Sequence, residues 1–260
     1  MGDGAIGWGG LVASMLLVLV AVGLSAWRRL GLERTILWAC GRAMAQLLLV
    51  GYALAALVED DAPVPLAWAW VAGMVVFAAV TVRRRTPEVP AAFRLALVAT
   101  GSSAALSLAV VFGFGVYDAV PRAIVPIAGM MVGNSISGTV TASRRVIAEL
   151  SDHRAEVEAR LALGLPWPEA SRRFVRAALR TALMSQVEST KAVGLVFLPG
   201  AMTGLILAGA DPVDAVLVQA AVMFLILGCV ATNATIVGLG LTRRLFTADH
   251  RLVRLPRTTA

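Results

Sequence analysis

The stretch TALMSQVESTKAVGLVFLPGAMTGLILAGAD, residues 181–211, decides how the chain is read. Its apolar residues are dense enough for a helix at bilayer depth, yet it carries Glu188 and Lys191 three positions apart and is interrupted by Leu198-Pro199-Gly200. An ionised side chain in hydrocarbon is unfavourable unless it is paired or faces water. The segment is therefore expected to line a protein interior, with acid and base neutralising each other along a path. Lys191 is also the only lysine, and every other cation is arginine.

Working outward, the whole chain shares this apolar character. Of its 260 residues 58% are hydrophobic and only 15% are charged, and the mean hydropathy is +0.81. That is too apolar for a soluble domain, so the sequence is read as an all-α integral membrane protein, one transmembrane domain over residues 1–260. The net charge of +7 does not point to nucleic acid, because the arginines are spread over loops rather than gathered on one face with interleaved aromatics. Cys40 and Cys229 lie in separate apolar runs without ligand spacing, which reads as two small buried thiols. No basic region precedes the first apolar run, so that run is expected to be a retained helix and not a cleaved signal.

Seven runs are long enough to cross a hydrocarbon core of about 30 Å, which takes roughly 17 to 25 helical residues. They are 8–26, 36–58, 66–82, 95–116, 123–142, 181–198 and 213–241. Residues 201–210 are too short to span and are expected to form a hairpin or re-entrant piece. The cations fall in alternate loops: Arg28, Arg29 and Arg34; Arg83, Arg84, Arg85 and Arg94; the arginines from Arg144 to Arg180; then Arg243, Arg244, Arg251, Arg254 and Arg257. Only Arg122, Arg42 and Lys191 lie elsewhere. The positive-inside rule then places the N-terminus outside and the C-terminus in the cytoplasm. The opposite loops are acidic, with Asp3, Glu59, Asp60, Asp61, Asp118, Asp211 and Asp214.

The one long polar segment is residues 143–180. Val146, Ile147, Leu150, Val157 and Leu161 keep near-helical spacing, which predicts that the fifth helix continues out of the membrane. Gly164 and Pro166 break it, and a basic amphipathic helix restarts at Trp167. A helix, a break and a helix make a shape that can dock onto a cytoplasmic partner.

Polar residues inside the apolar runs are few. Arg42 and Gln46 share a face of the second helix; Asn134, Ser135 and Ser137 lie in the Gly-rich fifth helix; Gln219 lies in the last. Asn134, Ser135 and Gln219 read first as glue between helices and second as substrate contacts, and Arg42 also as a side chain snorkelling to the interface. Methionines including Met130, Met131, Met184, Met202 and Met223 could escort a soft metal or simply fill packing gaps.

These residues together resemble a known family. Gly129-Met130-Met131-Val132-Gly133-Asn134-Ser135 with the Arg-rich loop after it, the LPGAMTGLILAG run from Leu198 to Gly209, Asp211-Pro212, Gln219 and the GRAMAQLLLVG run from Gly41 to Gly51 are similar to the iron-export ABC-transporter permeases of bacteria. The membrane subunits of plant aluminium-tolerance half-transporters share that family. The resemblance covers most of the chain, most specifically around residues 198–209. It implies a homodimeric pathway in the inner membrane, driven by two copies of a separate cytoplasmic ATPase subunit that binds ATP and Mg. This chain has no GxxxxGK[ST] phosphate loop and is read as a transport subunit that binds no cofactor itself.

Glu158-Ala159-Arg160 followed by Gly164 is similar to the coupling motif of ABC importer permeases, which implies that Glu158, Ala159, Gly164, Trp167, Glu169, Arg172 and Arg173 meet the ATPase. The motif is altered: arginine holds its third position, and Arg176 and Ala177 stand where Leu-Pro is usual. If iron is the cargo, Glu188 could ligate it with oxygens of Asn134 or Ser137, whereas Lys191 would repel a bare cation and favour an anionic, chelated or sugar-nucleotide-like substrate. Two further readings stand beside transport. An intramembrane enzyme would need histidine at depth, yet His153 and His250 lie in polar segments. A non-transporting scaffold would use the basic loop to hold a partner or anionic lipid.

Overall fold

The computed structural model describes residues 8–57, 63–194, 198–247, 249 and 251–253. Asp3, Glu59, Asp60, Asp61, His250, Arg254, Arg257 and residues 195–197 of the central run lie outside them.

Among the described residues the chain is helical, in the order α1 (Trp8–Trp27), α2 (Glu33–Leu57), α3 (Val64–Arg85), α4 (Ala92–Gly113), α5 (Pro121–Asp152), α6 (Arg154–Ala162), α7 (Trp167–Ala192), α8 (Gly200–Leu207) and α9 (Pro212–Leu245). Prolines start several of these helices, where a missing N–H is harmless and a fixed φ favours the first turn. Asp211 then caps α9, accepting from the Val213 N–H at 2.8 Å and from that of Asp214 at 3.4 Å.

Six helices, α1 to α5 and α9, are long and apolar enough to cross a membrane. Five of the seven expected spans, and the long last one, are thus matched by helices. The run at 181–198 differs. No breaker separates Arg180 from Thr181, so the basic amphipathic helix and the start of this run form one continuous α7. With Arg172, Arg173, Arg176, Arg180, Glu188 and Lys191 on it, α7 falls outside the apolar set. α8 has eight residues, too few to cross a membrane, and none of them is buried. At 1.5 Å per residue α5 and α9 reach about 48 Å and about 51 Å, well beyond a hydrocarbon core of about 30 Å.

Two compact units make up the chain, Met1–Ala62 with Leu207–Gly209, and Pro63–Ile206 with Ala210–Ala260. In the first, α1 and α2 pair through a turn in which Arg29 and Gly31 take positive φ. Buried Ser25 fixes it, its hydroxyl donating to Glu33 Oε1 at 2.8 Å and accepting from the Leu32 N–H at 3.2 Å.

In the second unit α5 is central, packing on α3, α7 and α9, while α4 lies against α3 and α9. Small residues make these approaches possible: Ala78 and Ala79 on α3, Ala99 on α4, Ala142 on α5, Ala182 on α7 and Ala234 on α9 are all buried. Glycine allows a close approach at Gly138 as well, where a Cβ would stand 2.8 Å from Val230 Cγ1. Along the same seam Ser135 Oγ lies 3.5 Å from Cys229 Sγ, and Thr139 Oγ1 meets Asn233 Oδ1 at 2.6 Å. Asn233 Nδ2 continues the network into α4, donating to Thr100 Oγ1 at 3.0 Å and Ser103 Oγ at 3.4 Å. Every member is buried, so each hydroxyl and amide finds its partner inside the protein.

The arginine-rich helix ends gather at one end of this unit. Arg144 Nη2 donates to the Arg85 carbonyl at 2.6 Å, and its Nε lies 3.5 Å from Glu88. Beneath them Val89, Leu95, Val146, Leu150, Val157, Phe174, Leu241 and Leu245 form one apolar core. α5 leaves this end as a helix, as the spacing predicts. A break at His153, which the sequence reading did not anticipate, turns the chain into α6.

Candidate functional site

Two groups of expected site residues can be followed through the second unit. The first is the helix, break and helix of residues 143–180. α6 ends at Ala162, Gly164 takes φ +86, and α7 starts at Trp167, which is the break expected from Gly164 and Pro166. The element is packed rather than loose. Val157 of α6 and Phe174 of α7 are buried together, and the His153 ring stacks on Phe174 at 4.8 Å. Arg160 and Arg173 both reach Glu156 Oε1, at 2.9 Å and 3.0 Å, and both lie over the Phe174 ring. Arg154 pairs with Glu158 at 2.7 Å and donates to the carbonyls of Leu252 and Val253, which binds the C-terminal segment to α6. Trp167, half-buried, stacks on Phe246 at 5.6 Å.

Among the expected coupling residues Glu158, Ala159, Gly164, Glu169, Arg172 and Arg173 are all exposed, around this packed base. The surface is open and its support is rigid. Between α7 and the end of α9 lies an open groove of about 750 Å³, lined in part by Arg172, Arg176, Arg180 and Arg243.

The second group was expected to line a path. Lys191 Nζ donates to Glu188 Oε1 at 2.9 Å, so acid and base do neutralise each other. The interior expected around them is not supplied by one chain: their side chains are 65% and 57% exposed. The reason is where the packing stops: α7 buries Ala170, Phe174, Ala178 and Ala182 against the bundle and nothing after Ala182, and positions 188 and 191 lie on its last turns, past that packed part.

On α5 the three polar neighbours divide. Ser135 is buried in the seam with Cys229, the structural role that came first in its reading. Asn134 and Ser137 are exposed, and Asn134 turns its amide back to donate to the Met130 carbonyl at 2.7 Å. Met130 and Met202 are half-buried, and Met131 is buried. Gln219 is buried on α9, and its Oε1 has no hydrogen-bond partner among the described residues. Arg42 and Gln46 are exposed on α2, within the first unit.

Among the described residues no three His, Cys, Asp or Glu side chains come together as a metal-ligand cluster. Sequence reasoning missed Thr100, Ser103, Thr139 and Asn233. The signal was present, since Asn233 stands between small residues in the ATNAT of the last apolar run, but its partners are 94 to 133 positions away.

Six membrane-length apolar helices, four of them in the unit that holds the buried polar seam and the packed polar element, define an all-α multi-pass membrane protein. The chain belongs to the family described as Uncharacterised protein family (UPF0014), which matches it over residues 8–246. It is 36% identical over 249 residues to the Escherichia coli protein named "Probable iron export permease protein FetB", covering 94% of this chain and 93% of that one. It is also 36% identical to the "UPF0014 membrane protein STAR2" of rice, over 84% of this chain and 76% of the relative. With "Protein ALUMINUM SENSITIVE 3" of Arabidopsis thaliana the identity is 31%, over 85% and 81%. No solved structure matches.

Proposed function

We propose that this chain is the membrane-spanning permease subunit of an ABC transporter that exports iron or a related metal species across the inner membrane. Two copies form the pathway, each a single permease domain over residues 1–260, and two cytoplasmic ATPase subunits, which bind ATP and Mg, drive it. The stretch that begins at Thr181 makes a seventh crossing beside the six apolar helices, so the N-terminus lies outside and the C-terminus in the cytoplasm, which puts the arginine-rich helix ends on the side of the ATPase.

The observation that carries this reading is the packed base of α6 and α7 with its exposed rim. A docking element must transmit force, and the Val157–Phe174 core with the Glu156–Arg160–Arg173 bridge makes this one stiff. Glu158, Ala159, Gly164, Trp167, Glu169, Arg172 and Arg173 form its contact with the ATPase. The printed name of the Escherichia coli relative supports transport and iron as cargo.

The exposed Glu188–Lys191 pair favours the dimer. Two charged groups on an unpartnered face at membrane depth are far better placed against a second copy than against acyl chains. Within that dimer Glu188, Lys191, Asn134, Ser137, Met130, Met202 and Gln219 line the route, and Glu188 is the candidate metal ligand. Lys191 supports the second reading, an anionic, chelated or sugar-nucleotide-like cargo, because an adjacent ammonium opposes a bare cation.

The test is purification in mild detergent with candidate ATPase subunits, followed by metal flux in vesicles. Co-purification, with metal-stimulated ATP hydrolysis that is lost in Glu188→Ala, is the expected result. A chain that binds no ATPase and moves no metal, whatever the nucleotide, would be a scaffold.

A further inference from the structure

The charges around α6 and α7 divide into two sets. On the α6 side they are matched: Arg154 with Glu158, and Arg160 and Arg173 with Glu156. On the other side Arg172, Arg176 and Arg180 stand on three successive turns of α7, with Arg243 of α9 opposite, all lining the groove of about 750 Å³. None of the four has a carboxylate within ion-pair distance among the described residues, and the groove lining contains no Asp or Glu. Four guanidinium groups facing one cavity demand an anion from elsewhere.

The rest of the lining says which kind. Leu179 and Leu183 continue the groove along α7, and Leu239, 58% exposed, closes it from α9, a helix of membrane-crossing length. The lining is thus mixed, with Arg172 and Arg176 toward the start of α7, Leu183 and Leu239 at the other end, and Arg180 between Leu179 and Leu183. A soluble anion would satisfy the arginines but leave the leucines wet. A flat acidic protein face would meet the rim and fail to fill the depth. An acyl chain laid over Leu179, Leu183 and Leu239 with a phosphate among the guanidiniums satisfies both sets of side chains, since arginine binds phosphate in a bidentate fork and the four arginines fix where the headgroup sits. Residues 172 to 180 cover about 12 Å of helix, room for a headgroup with more than one phosphate.

We infer that the groove between α7 and α9 is a binding site for an anionic phospholipid. The inference needs only a membrane-spanning chain and no particular cargo, and its test leaves Arg172, which borders the proposed ATPase contact, unchanged.

The test uses the full chain in nanodiscs of phosphatidylcholine with either phosphatidylglycerol or cardiolipin, with native mass spectrometry of retained lipid and thermal stability as readouts. The anionic lipids should remain bound and raise Tm, whereas phosphatidylcholine alone should do neither. Arg176→Gln, Arg180→Gln and Arg243→Gln should each weaken retention about fivefold, and together on the order of a hundredfold, while Arg83→Gln/Arg84→Gln leaves it unchanged. If the triple variant does not fold, the single variants carry the same comparison. Three results overturn the inference: equal retention in wild type and the groove variants, the same rise in Tm from inorganic phosphate, or unchanged lipid retention together with lost binding of an ATPase subunit.

Discussion

Thr139 Oγ1 on α5 donates to Asn233 Oδ1 on α9 at 2.6 Å, with both residues buried, and this bond ties together the two longest helices of the protein. Asn233 also donates to Thr100 and Ser103, so one amide joins three helices. Asn233→Ala removes all of these bonds. It should destabilise the chain by about 1–2 kcal/mol in a denaturant titration in detergent, the range for hydrogen bonds between membrane helices. Thr139→Val should cost less, because Thr100 and Ser103 keep their amide partner.

Gly138 tests the same seam by shape. A Cβ there stands 2.8 Å from a Val230 methyl, and valine on a helix has little rotamer freedom to retreat. Gly138→Ala should therefore destabilise by about 1–3 kcal/mol despite its better helix propensity. A second substitution, Val230→Ala, should restore most of the loss in the same titration.

Gln219 separates structural from functional roles. Its buried Oε1 has no partner among the described residues, so Gln219→Leu should leave Tm unchanged or raise it, by up to about 1 kcal/mol in stability. If Gln219 contacts the cargo, flux in vesicles should nonetheless fall. Unchanged flux removes it from the route.

The pair at Glu188 and Lys191 should behave as a unit. Glu188→Gln or Lys191→Met alone leaves one charge without its partner 2.9 Å away, and each should lower the yield of folded protein in the membrane. The double variant Glu188→Gln/Lys191→Met should recover the yield but not the flux. Fluorescence size-exclusion of detergent extracts reads the first, and vesicle uptake the second.

Orientation can be checked at Leu163, which is 83% exposed in the turn before α7. In a Cys40→Ala/Cys229→Ala background, Leu163→Cys should react with a membrane-impermeant maleimide in inverted vesicles and not in intact cells. Labelling of intact cells would reverse the assigned topology.

Much of the fold was legible in the sequence because apolar runs, proline starts and the Gly164–Pro166 break are local signals. The α7 boundary was not. Hydropathy placed an edge at Thr181, but hydrogen bonding along a helix responds to breakers, and none stands between Trp167 and Ala192. The turn at His153 was hidden for the opposite reason, since nothing there but packing on Phe174 calls for it. For the site, the Glu188–Lys191 bond followed from spacing alone. That the pair is exposed depended on the packing of α7 ending at Ala182, and that is settled by neighbours far away in the chain.

Because α7 runs unbroken, the bridged base at Phe174 and the ion pair at Lys191 sit on one stiff rod, about 25 Å apart. A tilt of about 10° pivoting on that base would swing Lys191 through about 4 Å, nearly the rise of one helical turn. One unbroken helix thus joins the Glu156 bridge at its base to the only lysine near its far end.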